Sequence, residues 1–232
     1  EEGTISVGDV LTLEIDKVKR NKIIANHTAT HLLQAALKEV VGSHINQAGS
    51  YVDDNRLRFD FTHFEKISNE QIKAVEEKVN NVIFQGIDVE IVNMSKEEAL
   101  SSGAMALFDE KYGDTVRVVS VGDFSKELCG GCHVANSANI GLFKIETEES
   151  VGSGVRRIEA ITGKSAYEAL VQEKETIDTI SNLLKLKNRK EVVNKVSALN
   201  EELAAVKKEV ETLNAKLNAL NAASKVNDIQ EI

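Results

Sequence analysis

From Val192 to Leu220 the apolar residues follow a strict four-three alternation: Val192, Val196, Leu199, Leu203, Val206, Val210, Leu213, Leu217 and Leu220. Such a repeat makes one narrow stripe on a helix, whereas a strand would send its members to both faces. At ~1.5 Å per residue the helix is roughly 50 Å long, and its stripe calls for a partner. Asn188 with Glu191 supplies the cap, after a polar interruption from Lys185 to Lys190. Upstream, Ser165 with Glu168 reads as a capping box opening a shorter helix that carries Leu170, Ile177, Ile180 and Leu184. The interruption is short enough for neighbouring helices to fold back, so 165–232 is expected to form a helical hairpin with a coiled-coil-like long arm. The short arm cannot cover the whole stripe. From about Val206 onward it is left for self-association of the 192–220 helix or for another domain.

Before Gly163 the pattern is different. Residues 4–24 hold two strand-like runs around Gly8-Asp9, the second alternating Leu11, Leu13, Ile15 against Thr12, Glu14, Asp16, and they read as a hairpin remnant. Asn26 is placed to cap a helix bearing Leu32, Leu33, Ala36, Leu37, Val40 and Val41, with Gly42 to end it. Strands are expected around 50–63. A second helix is signalled by the Ser68/Gln71 capping box with Ile67 and Ile72 as a staple, and Gly86 closes it. Val89 to Met94 reads as a strand, Ser95 with Glu98 as the cap of a short helix, and Val116 to Val121 as another strand. Residues 122–141 read as glycine-rich loop, followed by strands near 142–147 and 155–162. The order is neither all-α nor regular βαβ, so the expectation is an α+β domain with a mixed or antiparallel sheet.

Composition, 42% hydrophobic and 28% charged, is that of a soluble globular protein. No apolar run approaches the ~18 residues of a membrane span, and the opening Glu1-Glu2-Gly3-Thr4 has no signal-peptide character, so the chain reads as cytoplasmic with no membrane partner. It opens abruptly without methionine and reads as a piece of something longer. With 37 acidic against 28 basic residues the net charge is −9, which argues against a general nucleic-acid binder and makes any RNA contact local. Cys129 and Cys132 give no disulfide framework; such a pair more often binds metal or does redox chemistry in a reducing compartment.

His27 and His31, four apart at the start of a helix, project from one face and can meet one ion. Alone, the pair also suits two histidines on a partly polar surface. The positive end of the helix dipole disfavours imidazolium there, which keeps the rings competent as ligands. Cys129 and His133 form a second arm within Leu-Cys-Gly-Gly-Cys-His-Val, where Gly130 and Gly131 permit a tight backbone. Two such arms favour a metal site, with ligand types that suit zinc. Because 97 residues separate His31 from Cys129, the site would also staple the fold. Thr28 stands where an HExxH metalloprotease has its glutamate, and Gly152-Ser153-Gly154 lacks the context of a nucleotide-binding loop, so neither proteolysis nor ATP chemistry is expected.

The segments His27-Thr28-Ala29-Thr30-His31-Leu32-Leu33, Gln47-Ala48-Gly49-Ser50, Arg56-Leu57-Arg58-Phe59-Asp60-Phe61, Glu110-Lys111-Tyr112-Gly113-Asp114, Cys129-Gly130-Gly131 with His133, and Gly154 to Ala160 resemble, in order, the editing domain of alanyl-tRNA synthetases. The likeness runs from about 22 to 163 and extends more distantly to threonyl-tRNA synthetases and freestanding trans-editing proteins. Residues 1–21 are similar to the end of the preceding β-barrel, and 165–232 to the stalk that leads to the C-terminal domain. The resemblance implies a zinc-containing pocket that hydrolyses a wrong amino acid, serine or glycine, from the acceptor end of tRNA(Ala). It places His27, His31, Cys129 and His133 on the metal positions and Thr30 and Gln47 on the pocket. Gly130 and Gly131 are counted with that pocket, and Asp60 joins Thr30 and Gln47 as a candidate for positioning water; no catalytic residue is assigned. The family usually has threonine where this chain has Cys132, which puts a second thiol in the loop. Glycine and alanine differ by one methyl group, worth only ~1–3 kcal/mol, and a small pocket rejects serine poorly, so a second hydrolytic sieve is required. A freestanding trans-editing deacylase and a non-catalytic zinc-stapled assembly module are the competing readings.

Overall fold

Asp16 opens the first helix, α1 (Lys17–Val40), its side chain accepting a hydrogen bond from the Lys19 amide at 3.0 Å. The computed structural model describes residues 3–106 and 113–230, and side chains as far as 221. Residues 110–112 of the Glu110–Asp114 motif lie outside the described residues. Two expectations are corrected at this end. Residues 3–16 contain no strand, and Leu13 is 91% exposed; alternation makes a strand only when a neighbour pairs with its backbone, and none does so here. Asn26 is not a cap but is buried in mid-helix, donating to the Asp53 carbonyl at 2.9 Å and accepting from the Thr162 hydroxyl at 2.7 Å. The polar run from Lys17 to Lys22 consists largely of good helix formers and carries the helix back to Asp16.

β1 (Gln47–Val52) and β2 (Leu57–Thr62) follow, then α2 (Asn69–Gln85), β3 (Val89–Ser95), α3 (Lys96–Ser101), β4 (Thr115–Val121), β5 (Ser125–Leu128), β6 (Phe143–Gly152), β7 (Val155–Thr162), α4 (Gly163–Leu183) and α5 (Val192–Gln230). The strands form two antiparallel sheets, ordered β1-β2-β7-β6 and β3-β4-β5. The chain is thus α+β, with antiparallel sheets. Local signals for α2 and α3 hold: Ser68/Gln71 and Ser95/Glu98 both form reciprocal capping boxes, and Gly86 ends α2 at φ 63°. Ile67 and Ile72 pack into the same core.

The two-residue period of β2 turns Leu57, Phe59 and Phe61 inward, and β7 sets Ile158 opposite Phe59 and Ala160 opposite Leu57. Against this face lie Leu32, Leu33 and Leu37 of α1 and Val75 and Val79 of α2, all fully buried. Each such aliphatic side chain contributes about 1.5–3 kcal/mol on leaving water. The core therefore fixes α1, and with it the two histidines of its central turns.

Two further differences concern the later segments. Residues 122–141 are not all loop: β5 pairs with β4, setting Leu128 opposite Val118, and Ser137–Ile140 form a 3-10 turn. A four-residue strand carrying Lys126 and Glu127 has too little periodicity to announce itself. α4 begins at Gly163, directly after β7 and ahead of the expected Ser165 cap; Glu168 pairs instead with Lys164 at 3.2 Å.

The chain divides into two compact units, Glu1–Ala169 and Leu170–Ile232. In the second, Lys185, two residues past the end of α4, takes the left-handed conformation at φ 53°, with the Leu186 amide bonded to the Ser181 carbonyl. The Asn188 side chain caps a 3-10 turn, Arg189–Glu191, which leads into α5. Val196, Leu199, Leu203, Val206, Val210, Leu213, Leu217 and Leu220 all remain exposed, from 38% at Leu199 to 68% at Leu220. Among the described residues no helix is long and apolar enough to cross a membrane.

Candidate metal centre

His27, His31, Cys129 and His133 converge, with one donor atom from each lying within 4.8 Å of every other. α1 supplies the first two from successive turns, and the loop after β5 supplies the others. That loop is tied down from both sides. The Arg117 guanidinium of β4 donates to the carbonyls of Cys129 and Gly131, each at 2.7 Å. At its far end the Val134 amide donates to the Thr28 hydroxyl of α1 at 3.1 Å.

Hydrogen bonds decide which nitrogen of each ring is free. The Thr28 hydroxyl, fully buried, donates to the Ile24 carbonyl at 2.8 Å, so its oxygen can only accept from His133 Nδ1, 3.1 Å away. The proton of His133 therefore sits on Nδ1, and Nε2 faces the Cys129 sulfur at 3.3 Å. His27 Nδ1 lies 3.2 Å from the Cys132 carbonyl, an acceptor only, which leaves Nε2 toward the same sulfur at 3.5 Å. His31 turns Nδ1 to the Glu127 carboxylate at 3.5 Å, so Nε2 is its remaining nitrogen. All three rings thus keep Nε2 for a ligand.

A tetrahedral ion bonded at ~2.0–2.3 Å holds its donors about 3.3–3.7 Å apart, and the two sulfur–nitrogen distances fall in that interval. Protonation does not compete near neutrality. Burial lowers His27; burial and then the neighbouring His133 and His27 take His31 well below the usual imidazole value; burial and then His27 and Arg117 bring His133 to about 3. Burial pushes the Cys129 thiol up, offset in part by the Gly131 amide, so an ion binding here displaces a proton from sulfur. The cluster could therefore hold a metal ion.

The two loop glycines differ. A Cβ on Gly131 would lie 2.7 Å from His27 Nδ1 and closer still to Cε1, whereas one on Gly130 would meet nothing within 4 Å. Close approach to His27, rather than a special backbone angle, is what requires glycine at 131. Cys132 is exposed, its carbonyl serving His27 and its sulfur lying 3.6 Å from the Arg20 guanidinium; among the described residues the donor group does not include it.

The other predicted site residues have partners elsewhere. Thr30 is buried, its hydroxyl donating to the Asn26 carbonyl at 2.9 Å. Gln47 begins β1 and donates to the Ser50 hydroxyl at 3.1 Å. Asp60 accepts two bonds from the Arg157 guanidinium, at 2.7 and 2.9 Å, on the side of β2 opposite Phe59 and Phe61. Sequence reasoning missed Thr28, Arg117 and Glu127. Thr28 stands next to His27, but two of its three partners are 105 and 106 positions away and no local pattern marks them.

A family model described as "Threonyl and Alanyl tRNA synthetase second additional domain" matches residues 116–159. The chain is 49% identical over 232 residues to an alanine–tRNA ligase of Halalkalibacterium halodurans, covering 100% of the chain and 26% of that protein. The ligase of Bacillus pumilus is 51% identical over 230 residues, and that of Listeria welshimeri 51% over 232, with 99% and 100% of the chain and 26% of each relative covered.

Proposed function

Since the chain belongs to the alanyl-tRNA synthetase family, spanning about a quarter of the length of the curated relatives it matches, we propose that it binds one zinc ion and hydrolyses mischarged tRNA(Ala), releasing serine or glycine. The observation that carries the metal part is the set of three imidazoles with Nδ1 engaged or facing a carboxylate, two of them turning Nε2 to one thiol and the third lying within 4.8 Å of the same donor group. Three nitrogens and a sulfur are zinc's usual donors. When bound, zinc would supply Lewis acidity or a grip on the substrate's α-amino group.

The chain's own residues supply placement. Arg117 and Thr28 hold the loop against α1, and of the four donors His31 is buried and the other three are half-buried. In this reading the hydrolytic domain covers 22–163, with Thr30, Gln47, Gly130 and Gly131 near the wrong amino acid, and 165–232 is a stalk folded as a hairpin. The acceptor end of tRNA(Ala) is the partner and the cytoplasm the location. The family match over 116–159 supports the tRNA part.

The deciding experiment incubates the chain with seryl-, glycyl- and alanyl-tRNA(Ala), with and without a zinc chelator. Release of serine or glycine but not alanine, lost on chelation, is expected; equal release from all three removes the specificity claim. A second reading, a zinc-stapled module without catalysis, is favoured by one observation: four protein donors complete a tetrahedral ion and leave no open position. Zinc binding with no ester hydrolysis selects it.

The exposed stripe from Val196 to Leu220 supports self-association through α5.

A further inference from the structure

We infer that Glu127 is a positioning residue for the metal centre: its carboxylate accepts the Nδ1 proton of His31, holds Nε2 of that ring toward the other donors, and offsets charge on the bound ion. This rests on the metal reading of the four-donor cluster.

Glu127 lies on β5 opposite Val119, its side chain 1% exposed. Among the described residues neither carboxylate oxygen makes a hydrogen bond of normal geometry, even with the nearby Ser125 hydroxyl, and neither does His31 Nδ1. These orphaned atoms face each other at 3.5 Å, one buried acceptor against one buried ring nitrogen. Leaving either unmade costs about 1–3 kcal/mol. A single event satisfies both: an ion on Nε2 confines the ring proton to Nδ1, which then donates to the carboxylate.

The other two rings contrast with this one. His27 and His133 are held by a carbonyl and a hydroxyl, both neutral. Among the described residues, His31 is the one of the three rings that faces a carboxylate within 4.0 Å. A divalent ion with one thiolate keeps a net charge of +1 in a half-buried site beside the Arg117 guanidinium, and the carboxylate behind His31 supplies a compensating negative charge. Without an ion the same side chain is a buried acidic group whose burial is offset only in part by the Lys38 charge and the Ser125 hydroxyl. Its effect on the metal-free fold and its effect on metal binding therefore have opposite signs.

The test titrates the full chain with Co2+, whose visible bands report tetrahedral coordination, and measures zinc affinity by competition with a chromophoric chelator. Wild type is compared with Glu127→Gln, which is isosteric and uncharged, and with Glu127→Asp, which restores the charge. Expected are a 10–100-fold loss of affinity and shifted Co2+ bands in Glu127→Gln, partial recovery in Glu127→Asp, and a metal-free melting temperature of Glu127→Gln equal to or above that of wild type. Affinity within twofold of wild type with a superimposable Co2+ spectrum overturns the inference. So does a loss of affinity matched by loss of the metal-free fold, which would mark a structural role. A wild-type chain that binds neither ion overturns the metal reading itself.

Discussion

Gly131 and His27 approach so closely that a methyl group at 131 would press on the imidazole, 2.7 Å from Nδ1 and nearer to Cε1. Gly130, one residue earlier, faces open space. The loop residue that looks like a spacer is thus the wall against which the His27 ring rests. Gly131→Ala is expected to displace His27 and weaken zinc binding more than about tenfold, while Gly130→Ala changes it little. Equal affinities of the two variants, measured by chelator competition, would refute the assignment.

Thr28 serves three partners with one hydroxyl, donating to Ile24 and accepting from His133 and Val134. Thr28→Val keeps the shape and removes all three bonds, leaving the buried Val134 amide without its acceptor. The loss of stability is expected at about 1–3 kcal/mol, with weaker zinc binding as His133 is freed to change tautomer. Thr28→Ser retains the hydroxyl and serves as the control. Denaturant unfolding checks the first effect; valine and serine variants of equal stability would count against it.

Asp60 and Arg157 join neighbouring strands through two bonds, and the Arg157 hydrogen bond holds the Asp60 carboxyl below its usual range, with burial opposing. The folded value is depressed, so the stabilisation is fully present above the unfolded value of about 3.9 and is lost as pH falls through the folded one. Wild type should therefore lose stability below about pH 4 more steeply than Asp60→Asn, and the variant should be the less stable at pH 7. Melting temperatures across pH 2–7 check both; parallel curves contradict the pairing.

The α5 stripe, 48% exposed at Val206 and 55% at Leu217, leaves apolar surface along much of the helix. Concentration-dependent association is expected by light scattering, and the double change Leu213→Ser with Leu217→Ser should abolish it while preserving helicity. A chain that stays monomeric at high concentration argues against this.

What the sequence determined by itself is what short-range chemistry encodes. Ser68 with Gln71 and Ser95 with Glu98 close their own capping boxes within one helical turn, and Gly86 takes the left-handed angle open to it. The i,i+4 spacing of His27 and His31 puts both on one face of a helix, and a four-three repeat admits a helix alone. Tertiary structure decided whatever depends on partners far along the chain. Leu11, Leu13 and Ile15 alternate like a strand, but among the described residues no strand pairs with them; Asn26 looks like a cap, but Asp16 starts the helix and Asp53 and Thr162 claim the amide. β5 exists because β4 offers its edge, and Glu127 acquires its place beside His31 only through that pairing. Hydrogen bonds and burial across about a hundred residues leave no periodicity to read, because the fold, not the spacing, brings the atoms together.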